Sequence, residues 1–251
     1  MTSRRWAVLL CAVAVALMFA GCSAGDDTVA DDIVPATGGP AFANVEVDEI
    51  VIGVVNGGEA LSLAVADKSG LFSQAGVAAT IIHFESAAER DAALAAGEVD
   101  AIVCALDDAA ALEAAGTPVA VVSLLVDPAD AGESTQTPGT ADSVVGFGLT
   151  GACGYLVVSD YYIALPSGLL ATRAVLDAAD AAVVRIQDDP GAQQAILAEM
   201  VPGEVAVAGG AYPPSTVPGV TEIQDMLATL AAARPELAQV TADDLVLDIG
   251  R

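Results

Sequence analysis

Between Ile50 and Leu125 the chain alternates between short apolar runs and amphipathic stretches, most of the latter closed by glycine. The runs Ile50–Val55, Val77–Phe84, Val99–Leu106 and Val119–Leu125 have the length and composition of strands. The stretches Leu61–Ser69, Ala87–Ala96 and Asp107–Ala115 have helical spacing and end near Gly70, Gly97 and Gly116, where a left-handed cap costs glycine least. Strand, helix, strand in repetition predicts an α/β body built on an open, mostly parallel sheet. Such sheets take ligands at the carboxyl ends of their strands, so a site has an address before it has a chemistry.

The start of the chain reads as an address of another kind. Arg4 and Arg5 precede the apolar run Trp6–Ala20, which is short for a bilayer span of ~20 residues, and Ala20 and Gly21 lead into Cys22. Basic, apolar, small is the order of an export signal, assigned to residues 1–21. Phe19-Ala20-Gly21-Cys22 resembles a bacterial lipobox, with Phe where Leu is usual. The resemblance implies cleavage before Cys22, lipidation of Cys22, and a protein anchored outside the cytoplasm. Residues 22–49 are acidic, lack Lys and Arg, and read as a flexible tether.

Charge narrows the partners. Thirty-four acidic residues against 8 basic ones give a net charge of −26. Nucleic acid is excluded, since phosphate contacts need Lys and Arg stripes that this chain does not have. An anionic membrane surface would repel the body, which leaves the lipid at Cys22 as the membrane contact.

Residues 50–125 form the first part of the α/β lobe. Residues 126–143, rich in Asp, Gly, Thr, Ser and Pro, read as a linker. Residues 144–251 hold two strand-like runs, Val144–Leu149 and Gly154–Ser159. They also hold helices over Ser167–Gln187, over Gly191–Met200 with Pro190 at its first turn, and over Glu222–Ala233 with Thr221 as cap. Outside the cytoplasm Cys104 and Cys153 can pair as a disulfide or sit apart as small buried hydrophobes, and spacing alone leaves both open.

No catalytic constellation is visible. His83 is the only histidine, inside a strand between Ile82 and Phe84, and reads as a partly buried structural imidazole. There are too few clustered ligands for a metal, no nucleophile elbow and no phosphate loop, so neither enzyme activity nor a cofactor is expected. The strand ends, by contrast, are polar: Asn56-Gly57-Gly58-Glu59, then Glu85-Ser86, then Asp107-Asp108. Each precedes or opens a helix, where capping is the ordinary role of Ser and Asp and ligand contact is compatible with it. Arg90 is the only cation nearby and reads as an exposed partner of Glu89 or Asp91. This supply of acceptors favours a neutral or cationic ligand rich in N–H donors over a sulfonate or phosphate.

Leu63-Ala64-Val65-Ala66-Asp67-Lys68-Ser69-Gly70-Leu71-Phe72, then Ser86-Ala87-Ala88-Glu89-Arg90-Asp91-Ala92-Ala93-Leu94-Ala95-Ala96-Gly97, and later Ala115-Gly116-Thr117-Pro118-Val119 together resemble the first lobe of ABC-transporter substrate-binding proteins. The likeness is to the branch of thiamine-pyrimidine-precursor and alkanesulfonate binders. It resumes at Tyr155–Tyr162 and runs through Tyr212-Pro213-Pro214 to Asp243-Asp244. The resemblance implies a periplasmic-binding-protein-like lobe with one antiparallel return strand and C-terminal helices, no catalysis, and delivery of a small organic solute to an ABC permease. Carried over by position, the ligand-binding residues are Asn56, Glu59, Ser86 and Asp107. Where relatives have a second lobe this chain has residues 126–143, so a single lobe is expected. Its open cleft then needs a cover, such as the C-terminal helices, another protein or a homodimer. The alternative is a degenerate receptor lobe that serves as a cell-surface interaction or sensing module without solute capture.

Overall fold

In the computed structural model, residues 47, 49–127, 153–200 and 211–250 are described. They belong to one unit, Ala43–Arg251. The signal, the lipidation site Cys22, most of the tether, most of the linker and the run Val144–Leu149 lie outside the described residues.

The strands are β1 (Ile50–Val55), β2 (Ala79–Phe84), β3 (Ala101–Cys104), β4 (Val119–Val126) and β5 (Gly154–Ser159). They form one sheet in the order β2-β1-β3-β5-β4. β2 and β3 flank β1 in parallel, and β5 runs antiparallel between β3 and β4. The return strand expected from the sequence is therefore present. Its position is the addition: β4 pairs with β5 rather than with β3.

Strand alternation explains the two cores. Val103, Val122, Leu156 and Val158 face one side of the sheet, while Ile102, Cys104, Val121 and Val157 face the other. The first side is covered by α1 (Leu61–Lys68), α2 (Leu71–Gln74), α6 (Pro166–Asp188) and α7 (Gln194–Met200). The second is covered by α3 (Ala87–Ala96), α4 (Leu106–Ala114), α8 (Val220–Ala233) and α9 (Ala242–Leu245), with α5 (Asp160–Ile163) leading from β5 into α6. Gly97 closes α3 at φ 72°, and Gly70 and Gly116 take φ of 67° and 87° after α1 and α4, as the glycine spacing predicts.

Several bounds and assignments differ from the sequence reading, β3 being only Ala101–Cys104 and α4 opening at Leu106. The residue before α8 is Gly219, so Thr221 lies inside the helix and does not cap it. Pro190 opens a 3-10 turn, Pro190–Gln193, that leads into α7. α9 is capped reciprocally by Thr241 and Asp244, and at four residues it is too short to leave a periodic signature. The outer edge of β4 is occupied as well, by isolated bridges from Val121 to Val246 and from Leu124 to Thr216. Among the described residues no helix is long and apolar enough to cross a membrane.

Candidate functional site

β1 is continued on one side by β2 and on the other by β3, so the chain switches direction across the sheet at β1 and β3. That switch point is where open α/β sheets take ligands. A cavity of ≈ 180 Å³ lies there. Asn56 and Glu59 reach it from the turn after β1, Ala105 and Asp108 from the end of β3 and the start of α4, and Arg90 from α3. Because β5 is antiparallel, its amino end comes to the same edge and adds Cys153.

Glycine placement makes room for Glu59. A Cβ on Gly57 would fall 2.0 Å from Glu59 Oε2, and one on Gly154 would fall 3.2 Å from Glu59 Cβ. The short turn Gly58–Ala60 that carries Glu59 is held from below by Tyr212, whose buried hydroxyl donates to the Gly58 carbonyl at 2.9 Å. Burial pushes the Tyr212 phenol up, with the Glu59 charge adding to it, so the hydroxyl remains a donor.

Arg90 is the main correction to the sequence reading. Expected at the surface, it is 4% exposed. Its Nε and Nη2 donate to Asp91 Oδ1 at 2.9 and 2.7 Å, Nη2 also donates to Asp108 Oδ2 at 2.8 Å, and Nη1 donates to the Val103 carbonyl at 2.9 Å. The stem crosses β1 at Gly53, where a Cβ would lie 3.4 Å from Arg90 Cγ. A glycine facing an arginine in a neighbouring helix is a non-local signal, and the string Glu89-Arg90-Asp91 does not carry it.

The four carried-over residues separate. Asn56 and Glu59 line the cavity. Ser86 does not; its hydroxyl caps α3 by accepting from the Glu89 amide at 3.2 Å, and its neighbour Ala87 reaches the cavity instead. Asp107 also lies outside. α4 begins at Leu106, and consecutive helical residues point ~100° apart, which turns Asp108 to Arg90 and Asp107 to Arg234, at 3.6 Å. Asp107 belongs to a neighbouring groove of ≈ 370 Å³ between α4 and α8. His83 is exposed rather than partly buried, its Nδ1 2.9 Å from Asn56 Oδ1.

The disulfide left open by the sequence is not formed: Cys104 and Cys153 are both free. Cys104 stands opposite Tyr155 in the β3–β5 ladder, which puts Cys153 on the diagonal. Diagonal neighbours are ~7–8 Å apart, beyond the reach of an unstrained bridge. Burial is the first cause that pushes both thiols up, so they remain protonated. Among the described residues no group of three or more His, Cys, Asp or Glu is placed to hold a metal ion.

Residues 43–134 match the model of the NMT1-like family. No curated protein matches the chain. Solved structures do. The alkanesulfonate-binding protein SsuA from Xanthomonas axonopodis pv. citri, bound to MOPS, superposes with a TM-score of 0.58 at 15% identity, covering 81% of this chain and 99% of that one. The ligand-binding component of an ABC-type import system from Staphylococcus aureus, with zinc bound, gives 0.60 at 13% identity over 80% and 97%. The periplasmic nitrate-binding protein NrtA from Synechocystis PCC 6803 gives 0.55 at 12% identity over 80% and 86%. The chain shares the fold of these three structures. The resemblance read from the sequence therefore holds at the level of the fold, and identities this low carry the fold alone. Within that fold the cavity at β1 and β3 occupies the address that the sheet topology assigns to a ligand.

Proposed function

We propose that the protein is the extracytoplasmic solute-binding lipoprotein of an ABC-type importer, taking a small organic solute at the cavity between β1 and β3. One observation carries this reading. The concave site at the switch point of a solute-binding fold is built with polar groups from three separate segments, Asn56 and Glu59 after β1, Arg90 in α3 and Asp108 in α4. Convergent polar groups in one pre-formed cavity are the usual mark of a small-molecule site. The neighbours named above are binding proteins of sulfonate, nitrate and ABC-import systems, which supports transport over catalysis. The partners that follow are a membrane permease and the membrane itself, through a lipid on Cys22. The described residues form a single sheet. The connection from Val126 to Gly154 is far shorter than the ~100–150 residues usual for a domain.

The test is a ligand-dependent melting screen of the purified protein against small metabolites, with Glu59→Ala alongside. A hit that raises the wild-type midpoint by several degrees and loses its effect in Glu59→Ala supports capture at this cavity. A hit that stabilises both alike puts the site elsewhere. No hit across the panel turns the reading to a lobe that has kept the fold and serves as a surface interaction module. Anchoring is tested separately: Cys22→Ala is expected to move the protein from the membrane fraction to the soluble fraction and abolish labelling by a fatty-acid analogue. Retention of the label would remove the lipoprotein assignment.

A further inference from the structure

We propose that the solute is an amphipathic organic cation, with a protonated amine or amidine head beside Glu59 and Asp108 and an apolar body in the groove between α4 and α8. The proposal rests on the solute-binding reading above and names the chemical class that the site takes.

Charge carries the first half. The charged side chains that line the cavity are Glu59, Arg90 and Asp108. Arg90 makes four hydrogen bonds within the protein, to Asp91, Asp108 and Val103, which uses most of its five donors. Two carboxylates already neutralise that one guanidinium, and Glu59 adds a further negative charge. A sulfonate or phosphate would meet a spent cation and an excess of acceptors. An ammonium or amidinium brings positive charge to a wall whose charged side chains, Glu59, Arg90 and Asp108, sum to −1, and hydrogen bonds to charged groups are the stronger kind. Cys104 and Cys153, held protonated by burial, add no charge of their own.

Continuity carries the second half. Ala105 and Cys153 line both the ≈ 180 Å³ cavity and the ≈ 370 Å³ groove, so the two compartments meet at a shared wall. Small-molecule pockets run ~300–1,000 Å³, and the cavity reaches that range only with the groove. The groove is apolar where it leaves the cavity, with Leu106, Tyr155, Met226 and Leu230. The Tyr155 hydroxyl is turned to Met226 Sδ at 3.9 Å, and the charge of Asp107 is answered by Arg234 at the rim. A polar head with acceptors around it, joined to an apolar trough, describes the outline of the ligand.

A matched set of probes tests this by calorimetry on the full-length protein: 4-phenylbutylammonium, 4-phenylbutanol, 4-phenylbutyrate and n-butylammonium. The expected order places phenylbutylammonium at least ~tenfold tighter than the alcohol, with the carboxylate weakest. Glu59→Gln is expected to weaken the phenylbutylammonium at least ~tenfold and the alcohol much less. Leu230→Ala is expected to weaken phenylbutylammonium more than butylammonium. Binding of phenylbutyrate as tight as the ammonium would overturn the charge assignment while leaving solute capture intact. Equal losses for both ammonium probes in Leu230→Ala would overturn the groove assignment. If no probe binds while the metabolite screen still yields a ligand, the class is wrong; if neither yields one, solute capture fails with it.

Discussion

Arg90 is the residue on which the site is organised. It is buried, it touches Asp91, Asp108 and the end of β3, and its stem runs over Gly53. Removing the buried guanidinium leaves the part-exposed carboxylates of Asp91 and Asp108 without their partner, which costs ~1–3 kcal/mol. Arg90→Met is therefore expected to lower the urea midpoint by that equivalent, and a loss below ~1 kcal/mol would show that the network contributes little. Gly57→Ala acts differently, because the atom it meets is the far end of a flexible side chain. It should displace the Glu59 carboxylate and reduce ligand affinity while shifting the melting midpoint little; equal affinity in the variant would place Glu59 outside the site. The residue scale is also where sequence reading was weakest. That Asn56 and Glu59 line the cavity was legible because a polar turn after a strand has one address. Asp107 and Asp108 were not separable, because one residue of uncertainty in where α4 begins exchanges their directions.

At the scale of elements the sequence was a better guide. The first strand and α3 have the expected bounds, and the glycines expected near the ends of α1, α3 and α4 take positive φ. Periodicity and caps are local properties, and these segments are long enough to show them. α2 and α9 are four residues each and left no pattern. The close approach of α5 to α6 is invisible to periodicity altogether. A Cβ on Gly168 in α6 would fall 2.1 Å from the Tyr162 carbonyl oxygen in α5. Backbone cannot swing aside as a side chain does, so Gly168→Ala is expected to cost ~1–3 kcal/mol or more, read as a lower melting midpoint. Gly191→Ala, whose Cβ would have only an ordinary contact with Asp189 at 3.5 Å, serves as the comparison and should change stability little. If the two variants melt alike, the close approach of α5 and α6 does not constrain the fold.

For the molecule as a whole, charge sets the response to pH. Burial raises the carboxyls of Asp91, Glu113 and Asp160, against the pull of Arg90 on Asp91 and of the Val119 amide on Glu113. A carboxyl whose value is higher folded than unfolded binds its proton more tightly in the native state. Stability then increases as pH falls toward the raised values and declines again as pH climbs through them. Glu236 runs the other way, lowered by a backbone hydrogen bond and by Arg234, but it is fully exposed. The net charge of −26 works in the same sense as the buried carboxyls, since protonation relieves self-repulsion. The melting midpoint is expected to rise between neutral pH and about pH 5, and added salt at neutral pH should recover part of the gain. A midpoint that falls steadily over that interval would contradict the sign. Antiparallel β5 has a different consequence at this scale. Because it slots between β3 and β4, a nascent chain that has emerged only as far as Asp127 holds a fourth strand with no neighbour to join. The stretch that matches a family model is thus not a self-standing folding unit, and the cavity wall is finished only when the later half of the polypeptide threads back through the gap.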